Sequence, residues 1–184
     1  MQGGSDEEQR STMFYLKQRV IVVNLIVMAY MWAACSFGYY MIIFYLKYLP
    51  GNIYNNSLSS GGTDLIAVVF SGVLYGKLGL RKTVTGLFTL STIGGLMIIF
   101  LGENSTTLVP IFVVITKFGI SGGFVLCYCS TVDVFPTLFC STGLGICNFG
   151  ARVLSILAPI VAEEPAPIPM IVLTCLTLGG IAMI

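Results

Sequence analysis

The sequence has 184 residues, of which 56% are hydrophobic and 9% are charged, and its mean hydropathy is +0.93. A soluble domain cannot bury so much apolar surface with so few charges, so the composition excludes a soluble globular protein and indicates that lipid is the solvent. A helix needs roughly 20 apolar residues to cross a bilayer, so this length accommodates about six crossings and leaves no room for a second, soluble domain.

Six apolar stretches follow a polar, charged segment at residues 1–18. This segment lacks the short apolar core of a signal peptide, so we expect the first helix to stay in the mature protein. The predicted transmembrane helices cover residues 20–46, 56–78, 83–101, 107–133, 139–161 and 167–184. The sixth is still apolar at residue 184, so we expect this helix to be truncated and residues 19–184 to form one transmembrane domain.

The basic residues are distributed unevenly between the two sides of the membrane. Those that flank the same helix ends are Arg10, Lys17, Arg19, Lys77, Arg81 and Lys82. Cytosolic flanks are enriched in Lys and Arg, so we predict a cytosolic N-terminus. Asn55 and Asn104 begin Asn-x-Ser/Thr patterns on the predicted outer side and are candidate glycosylation sites. Outward glycosylation patterns favour the plasma membrane; an organelle membrane, including the mitochondrial inner membrane, is the alternative.

Groups for catalysis or metal binding are scarce. The chain has no His, and its six cysteines lie mostly inside apolar stretches. We therefore interpret the thiols as small buried hydrophobes. The chain contains no phosphate-binding glycine loop, and its carboxylates are dispersed. We predict that the protein is not an enzyme and needs no metal or cofactor.

Lys117 and Arg152 each fall near the middle of a predicted helix. At a rise of 1.5 Å per residue, Lys117 lies roughly 15 Å below the outer end of the fourth helix, and Arg152 lies roughly 18 Å above the inner end of the fifth. A charge at this depth costs several kcal/mol, so each is a functional candidate. The alternative for either cation is a structural ion pair with Asp64, the single acidic residue of the second helix.

Four predicted helices carry polar or aromatic residues at helical spacing, which is typical of a face that lines a water-filled cavity. The candidate substrate-binding residues on these faces are Trp32, Tyr39, Asp64, Lys117, Phe124, Tyr128, Asn148 and Arg152. Aromatic rings there can hold an organic ion. The alternative is that the small and hydroxylated residues serve helix packing and that the aromatics fill space.

Three parts of the chain resemble the second half of the major facilitator fold, in particular its organic cation/anion/carnitine transporters. They are WAACSFGYY at 32–40 with the segment 56–64; GVLYGKLGLRKT at 72–83; and the ordered set KFGISGGF (117–124), DVFPT (133–137), STGLG (141–145) and ARVLSILAP (151–159). The resemblance implies two inverted three-helix repeats that form one half of a carrier working by alternating access. It also implies that Arg152 stands where anion and carnitine carriers keep an Arg, which favours an anion or a zwitterion.

The same resemblance assigns four residues to a gate network at the cytosolic face: Lys77, Arg81, Lys82 and Asp133. The chain departs from the family pattern at three charged positions, which are occupied by Gly76, Leu80 and Cys140. We therefore expect a reduced gate.

The resulting prediction is secondary transport of a small organic ion, in which this chain supplies the C-terminal half beside an N-terminal half in the lipid bilayer. One alternative is a non-transporting half that serves as a structural subunit of a larger membrane complex. A half-size carrier that pairs with itself or with a separately encoded half is another. A nucleic acid partner is not expected.

Overall fold

A computed structural model describes residues 19–49, 52–101, 108–165 and 167–184, except for the side chains of Leu101 and Leu138. The regular structure of these residues is entirely helical. The predicted cytosolic segment at 1–18 and the candidate glycosylation site Asn104 lie outside the described residues. Asn55 is exposed and lies in the first turn of a helix that begins at Ile53, three residues before the predicted start at 56.

Within the described residues there are seven α-helices and one short 3-10 helix. In chain order they are α1 (Arg19–Tyr45), the 3-10 helix (Leu46–Tyr48), α2 (Ile53–Leu78), α3 (Leu80–Leu101), α4 (Val109–Val134), α5 (Thr137–Ser155), α6 (Ala158–Glu163) and α7 (Ile168–Met183). Five stretches are long and apolar enough to cross a membrane, one of them formed by α5 and α6 together. The sixth predicted span corresponds to α7, which has 16 residues.

The ends of α2 follow from two residues that suit helix termini. Asn52 caps the first turn, since its side chain accepts a hydrogen bond of 2.9 Å from the Tyr54 amide. At the other end Gly79 adopts a φ of 79°, a conformation that favours glycine. This single glycine joins α2 to α3, so α3 begins at Leu80, earlier than the predicted residue 83.

The predicted fifth span is interrupted in the structure. α5 ends at Ser155 and α6 begins at Ala158, and the amides of Ile156 and Leu157 bond three residues back, to Val153 and Leu154. Pro159 explains the break, because it has no N–H to donate to the Ser155 carbonyl. The Ser155 hydroxyl donates to the Ala151 carbonyl one turn earlier, at 2.8 Å, which is an additional bond within α5.

α1 and α4 are the two central helices of the bundle. α4 packs against α1, α2 and α3, and α1 packs against α4, α5, α6 and α7. α2 packs mainly on α4, whereas α5 packs mainly on α1. Two apolar clusters meet along α1 between Cys35 and Phe37, and along the interrupted fifth span between Ala151 and Ala158. The polar residues Ser36, Arg152 and Ser155 therefore lie at the level where one cluster ends and the other begins.

The crossing of α3 and α4 depends on glycine. A Cβ atom at Gly119 would lie 2.8 Å from the Ser91 Cβ, and one at Gly94 would lie 3.0 Å from the Thr116 amide nitrogen. Close approach through small residues is the usual way that membrane helices associate. A Cβ atom at Gly95 would lie 3.6 Å from the Thr174 Cβ, whereas one at Gly86 would meet nothing within 4 Å.

We expect Gly119→Ala to lower the free energy of unfolding by about 1–3 kcal/mol, because the new methyl group has to push α3 away from α4. Gly86→Ala is the matched control on the same pair of helices and should be neutral or slightly stabilising, since its Cβ is unopposed. Thermal or denaturant unfolding in detergent micelles compares the two variants. Equal stability of Gly119→Ala and the native chain would contradict this account of the crossing.

Candidate functional site

Lys117 is buried between α4 and α2, and its ammonium group makes three hydrogen bonds there. Only 2% of the residue is exposed, and its Nζ lies 2.9 Å from Asp64 Oδ2. The same ammonium donates to the Ser60 carbonyl at 3.3 Å and to the Ser60 hydroxyl. These acceptors match the three protons of an ammonium group. The structure thus matches the sequence alternative in which one mid-membrane cation pairs with Asp64.

Tyr39 connects this ion pair to α1. Its hydroxyl donates to Asp64 Oδ2 at 3.2 Å, and Lys117 Nζ lies 5.3 Å from the centre of its ring. The second carboxylate oxygen of Asp64, Oδ1, is buried and has no hydrogen-bond partner within the described part of the chain. Three helices therefore meet at one carboxylate, which is bonded on one oxygen only.

A row of aromatic rings runs from the ion pair along α1 and α4. Tyr39 stacks on Phe124 with ring centres 5.9 Å apart, and Phe124 meets Tyr128 at 5.8 Å. Trp32 packs edge-on against Tyr128 at 4.5 Å and donates to Thr131 Oγ1 at 3.4 Å. We call the four rings of Trp32, Tyr39, Phe124 and Tyr128 the aromatic wall. Tyr128 is 43% exposed and Trp32 is 1% exposed, so the wall has an accessible and a buried end.

Arg152 lies on α5, and its environment differs from that of the ion pair. Its side chain is exposed. Nε donates to Asn148 Oδ1 at 3.3 Å, Nη1 donates to the Tyr40 hydroxyl, and the guanidinium carbon lies 5.6 Å from the Tyr40 ring centre. Among the described residues no carboxylate lies within 4 Å of Arg152, and Nη2 makes no hydrogen bond. The guanidinium is held by neutral groups and keeps donors available.

The residues assigned to the cytosolic gate do not form ion pairs among the described residues. Asp133 accepts a hydrogen bond from the Tyr75 hydroxyl, which joins α4 to α2 without a basic residue. Lys77, Arg81 and Lys82 are not bonded to it. The ion pair seen outside the membrane core is Lys47 with Glu163 at 3.2 Å, between the 3-10 helix and the end of α6.

Metal chemistry finds no support in the described residues, where no group of three His, Cys, Asp or Glu side chains could hold an ion. Cys35, Cys127 and Cys147 are buried as expected, and the sulfurs of the first two lie 3.9 Å apart. The expectation of burial is wrong for Cys129 and Cys175, which are exposed on the surface of the bundle.

The structure brings the predicted candidates together in two groups. The first comprises Asp64, Lys117 and the aromatic wall, and the second comprises Asn148 and Arg152. Sequence reasoning missed Ser60 and Tyr40, which bond directly to the two cations. Ser60 lies four residues before Asp64 and is recognisable as the same helix face, whereas Tyr40 is marked only by its position next to Tyr39.

Comparison with known proteins identifies relatives of this chain. No protein-family model matches it. It is 32% identical to organic anion transporter 3 of Mus musculus over 81% of its length, and 26% identical to a solute carrier family 22 member 15-like protein of Xenopus tropicalis over 98% of its length. It is also 30% identical over 78% of its length to solute carrier family 22 member 4 of Mus musculus.

The chain spans 28%, 38% and 28% of these three relatives, in the order given. The named relatives are transporters, which agrees with the prediction that the chain is not an enzyme. With five helices able to cross a membrane, the chain is a multi-pass membrane protein. Its resemblance to the organic cation/anion/carnitine transporters is confirmed, and the chain is a sequence relative of the organic ion transporters of solute carrier family 22.

Proposed function

We propose that this chain is the C-terminal half of a secondary transporter for small organic anions or zwitterions, with two inverted three-helix repeats and alternating access about a mid-membrane site. The observation that carries the proposal is the exposure of Arg152 and its lack of an acidic partner among the described residues. It is a membrane-embedded cation that is exposed and has no carboxylate within 4 Å among the described residues. A permanent charge in this position is costly unless an anion or water meets it.

Arg152 has the geometry to bind a carboxylate. Two of its nitrogens are engaged, by Asn148 and Tyr40, and these bonds fix the plane of the guanidinium. The unengaged Nη2 and the second Nη1 proton form one edge of the fork, which matches the two oxygens of a carboxylate. Since both fixing groups are neutral, they orient the guanidinium without cancelling its charge.

The aromatic wall supplies a surface for the apolar part of a substrate. Tyr128 is its exposed end, and the rings of Tyr39 and Phe124 are half-buried. Tyr39 precedes Tyr40 on α1, and the centres of these two rings are 5.7 Å apart. Most of the recognition area of a small-molecule site is apolar or aromatic, and a few charged groups set its orientation. The names of the organic anion transporters among the relatives support the same class of substrate.

Lys117 has a different part in this proposal from the one its sequence position suggests. Its three protons are already bound by Asp64 and Ser60, so it has no donor left for a substrate. We assign the pair to the attachment of α2 to α4. Asp64 is thereby neutralised as well, and Arg152 is the uncompensated charge of the site.

A structural subunit is the second candidate function. It is favoured by the cytosolic end of the bundle, where Asp133 bonds to Tyr75 and the basic residues Lys77, Arg81 and Lys82 form no ion pair among the described residues. A gate network of this kind would hold a carrier in one conformation only weakly.

Arg152→Ala should weaken the binding of an aromatic monocarboxylate by roughly 30-fold or more, equivalent to about 2 kcal/mol for a charge-assisted pair. The fluorescence of Trp32, the one tryptophan of the chain, reports binding because the ring belongs to the aromatic wall. Arg19→Ala, at the exposed start of α1, is the control. The uncharged amide of the same probe should bind both variants alike. Unchanged affinity for the acid in Arg152→Ala would overturn the site assignment.

Lys117→Met should lower the free energy of unfolding by about 3–5 kcal/mol, because it leaves the partly buried Asp64 carboxylate without a cation and with only the Tyr39 hydroxyl bonded to it. Asp64→Leu combined with Lys117→Met should recover most of this loss, as an apolar pair replaces an ionic one. Unfolding in micelles gives the stability, and the Trp32 titration should show nearly native anion affinity in the double variant. Loss of anion binding there would assign Lys117 to the substrate.

Uptake distinguishes the two candidate functions. In cells that express the chain together with a matching N-terminal half, we expect uptake of an organic anion that disappears with Arg152→Ala. If the chain is a structural subunit, purification from native membranes should instead recover a constant set of partner proteins, and Arg152 should be shielded from water-soluble probes by them.

A further inference from the structure

We propose that Gly61 and Gly62 form a hinge in α2 and that Lys117 holds this hinge closed. The hinge divides the helix into an outer segment, residues 53–60, and a longer inner segment that begins at Thr63. The mechanics of α2 follow from its own residues.

The sequence around the glycine pair favours bending. Residues 57–63 read SLSSGGT, so six of seven positions are serine, glycine or threonine. Glycine is roughly 1 kcal/mol less favourable than alanine in a helix, and hydroxyl side chains compete for backbone acceptors. One such competition is visible, since Thr63 Oγ1 donates to the Ser59 carbonyl at 2.7 Å. Glycine and serine pairs are recurrent sites of helix kinks.

Helix packing does not explain why both positions are glycine. A Cβ atom at Gly61 or Gly62 would meet nothing within 4 Å, in contrast to Gly94 and Gly119 at the crossing of α3 and α4. The glycines of that crossing are required by close contact. Gly61 and Gly62 make no close helix contact in this conformation that an alanine would disturb. The property that distinguishes them from alanine here is therefore the conformational freedom of their backbone.

The outer segment of α2 has room to move. A cleft of about 470 Å³ lies beside it, between α2, the beginning of α4 and the 3-10 helix. Ser59 and Gly62 line it from α2, and Pro110 and Val114 line it from α4. A packed interior would resist such a movement, whereas here the space on one flank of the hinge is already open.

Lys117 bonds to both sides of the hinge at once. Its Nζ donates to the Ser60 carbonyl at 3.3 Å, just before the glycine pair, and to Asp64 Oδ2 at 2.9 Å, just after it. In a regular helix the Ser60 carbonyl accepts from the amide of residue 64, so the ammonium reaches the backbone at the turn that a hinge would open. Bending at Gly61–Gly62 moves Ser60 away from Asp64 and breaks one side of this clamp.

Hydrogen–deuterium exchange of the full chain in lipid nanodiscs tests the hinge. Gly61→Ala with Gly62→Ala should slow exchange of residues 53–62 by about fivefold for each glycine, from the difference in helix propensity. Gly72→Ala is the matched control, because its Cβ is also unopposed on the same helix, and it should leave residues 53–62 unchanged. Exchange at the native rate in the Gly61/Gly62 variant would overturn the hinge.

The clamp is tested with Lys117→Met combined with Asp64→Leu, which removes it without leaving a buried charge. Exchange of residues 53–62 should become at least tenfold faster, and adding the two alanines should reverse most of this gain. Native exchange in the variant that lacks the clamp would overturn the role of Lys117. Neither measurement requires transport, so a chain that shows both effects but binds no anion would contradict the proposed function alone.

Discussion

The cost of placing a charge in lipid is the constraint on which the arrangement of this bundle depends, and its two embedded cations meet that cost in different ways. Lys117 is enclosed, with Asp64 and Ser60 accepting all three of its protons. Arg152 is left on an exposed face and is fixed by the neutral side chains of Asn148 and Tyr40. A buried ion pair holds two helices together, whereas an unpaired cation in the membrane raises the free energy until water or a ligand solvates it. The first arrangement suits structure and the second suits binding.

Packing density differs across the bundle in a way that agrees with this division. At the crossing of α3 and α4, Gly94 and Gly119 bring the two backbones into contact, and no larger side chain fits. α2 has the opposite character, with unopposed glycines and a cleft along one flank. α2 packs mainly on α4, and this contact includes the Lys117–Asp64 pair and the rings of Phe70 and Phe118, whose centres are 5.6 Å apart. Tight glycine contacts at one crossing and an open flank along α2 thus occur in the same bundle.

Composition was sufficient to predict the helices but not their internal interruptions. Hydropathy averages over about 19 residues, so it located the membrane-length stretches within a few residues at most ends. The same averaging cannot detect a break of two residues such as Ile156–Leu157, although Pro159 was visible in the sequence.

The sequence was sufficient to predict which site residues share a helix face, but not which residues of different helices contact each other. Helical spacing placed Phe124, Tyr128 and Lys117 on one side of α4, and these residues do meet Tyr39 or Trp32 of α1. Whether Lys117 or Arg152 pairs with Asp64 depends on the angle at which α2 crosses α4. The residue spacing within a single helix gives no information about this angle. For the same reason the contact of Tyr75 with Asp133 could not be anticipated from a charge pattern that favoured a basic partner.

The pairing has a consequence for the charge that a carrier of this type would tolerate. Lys117 and Asp64 cancel, so Arg152 leaves the site with one positive charge. A substrate with one carboxylate makes the occupied site neutral, whereas a dicarboxylate would leave a negative charge facing the aromatic wall. Because movement of a charged site through a low-dielectric surrounding is costly, the neutral complex is the one that changes conformation most readily. In the proposed carrier, charge selectivity would then follow from the pairing of Lys117 with Asp64, although neither residue is assigned to the substrate.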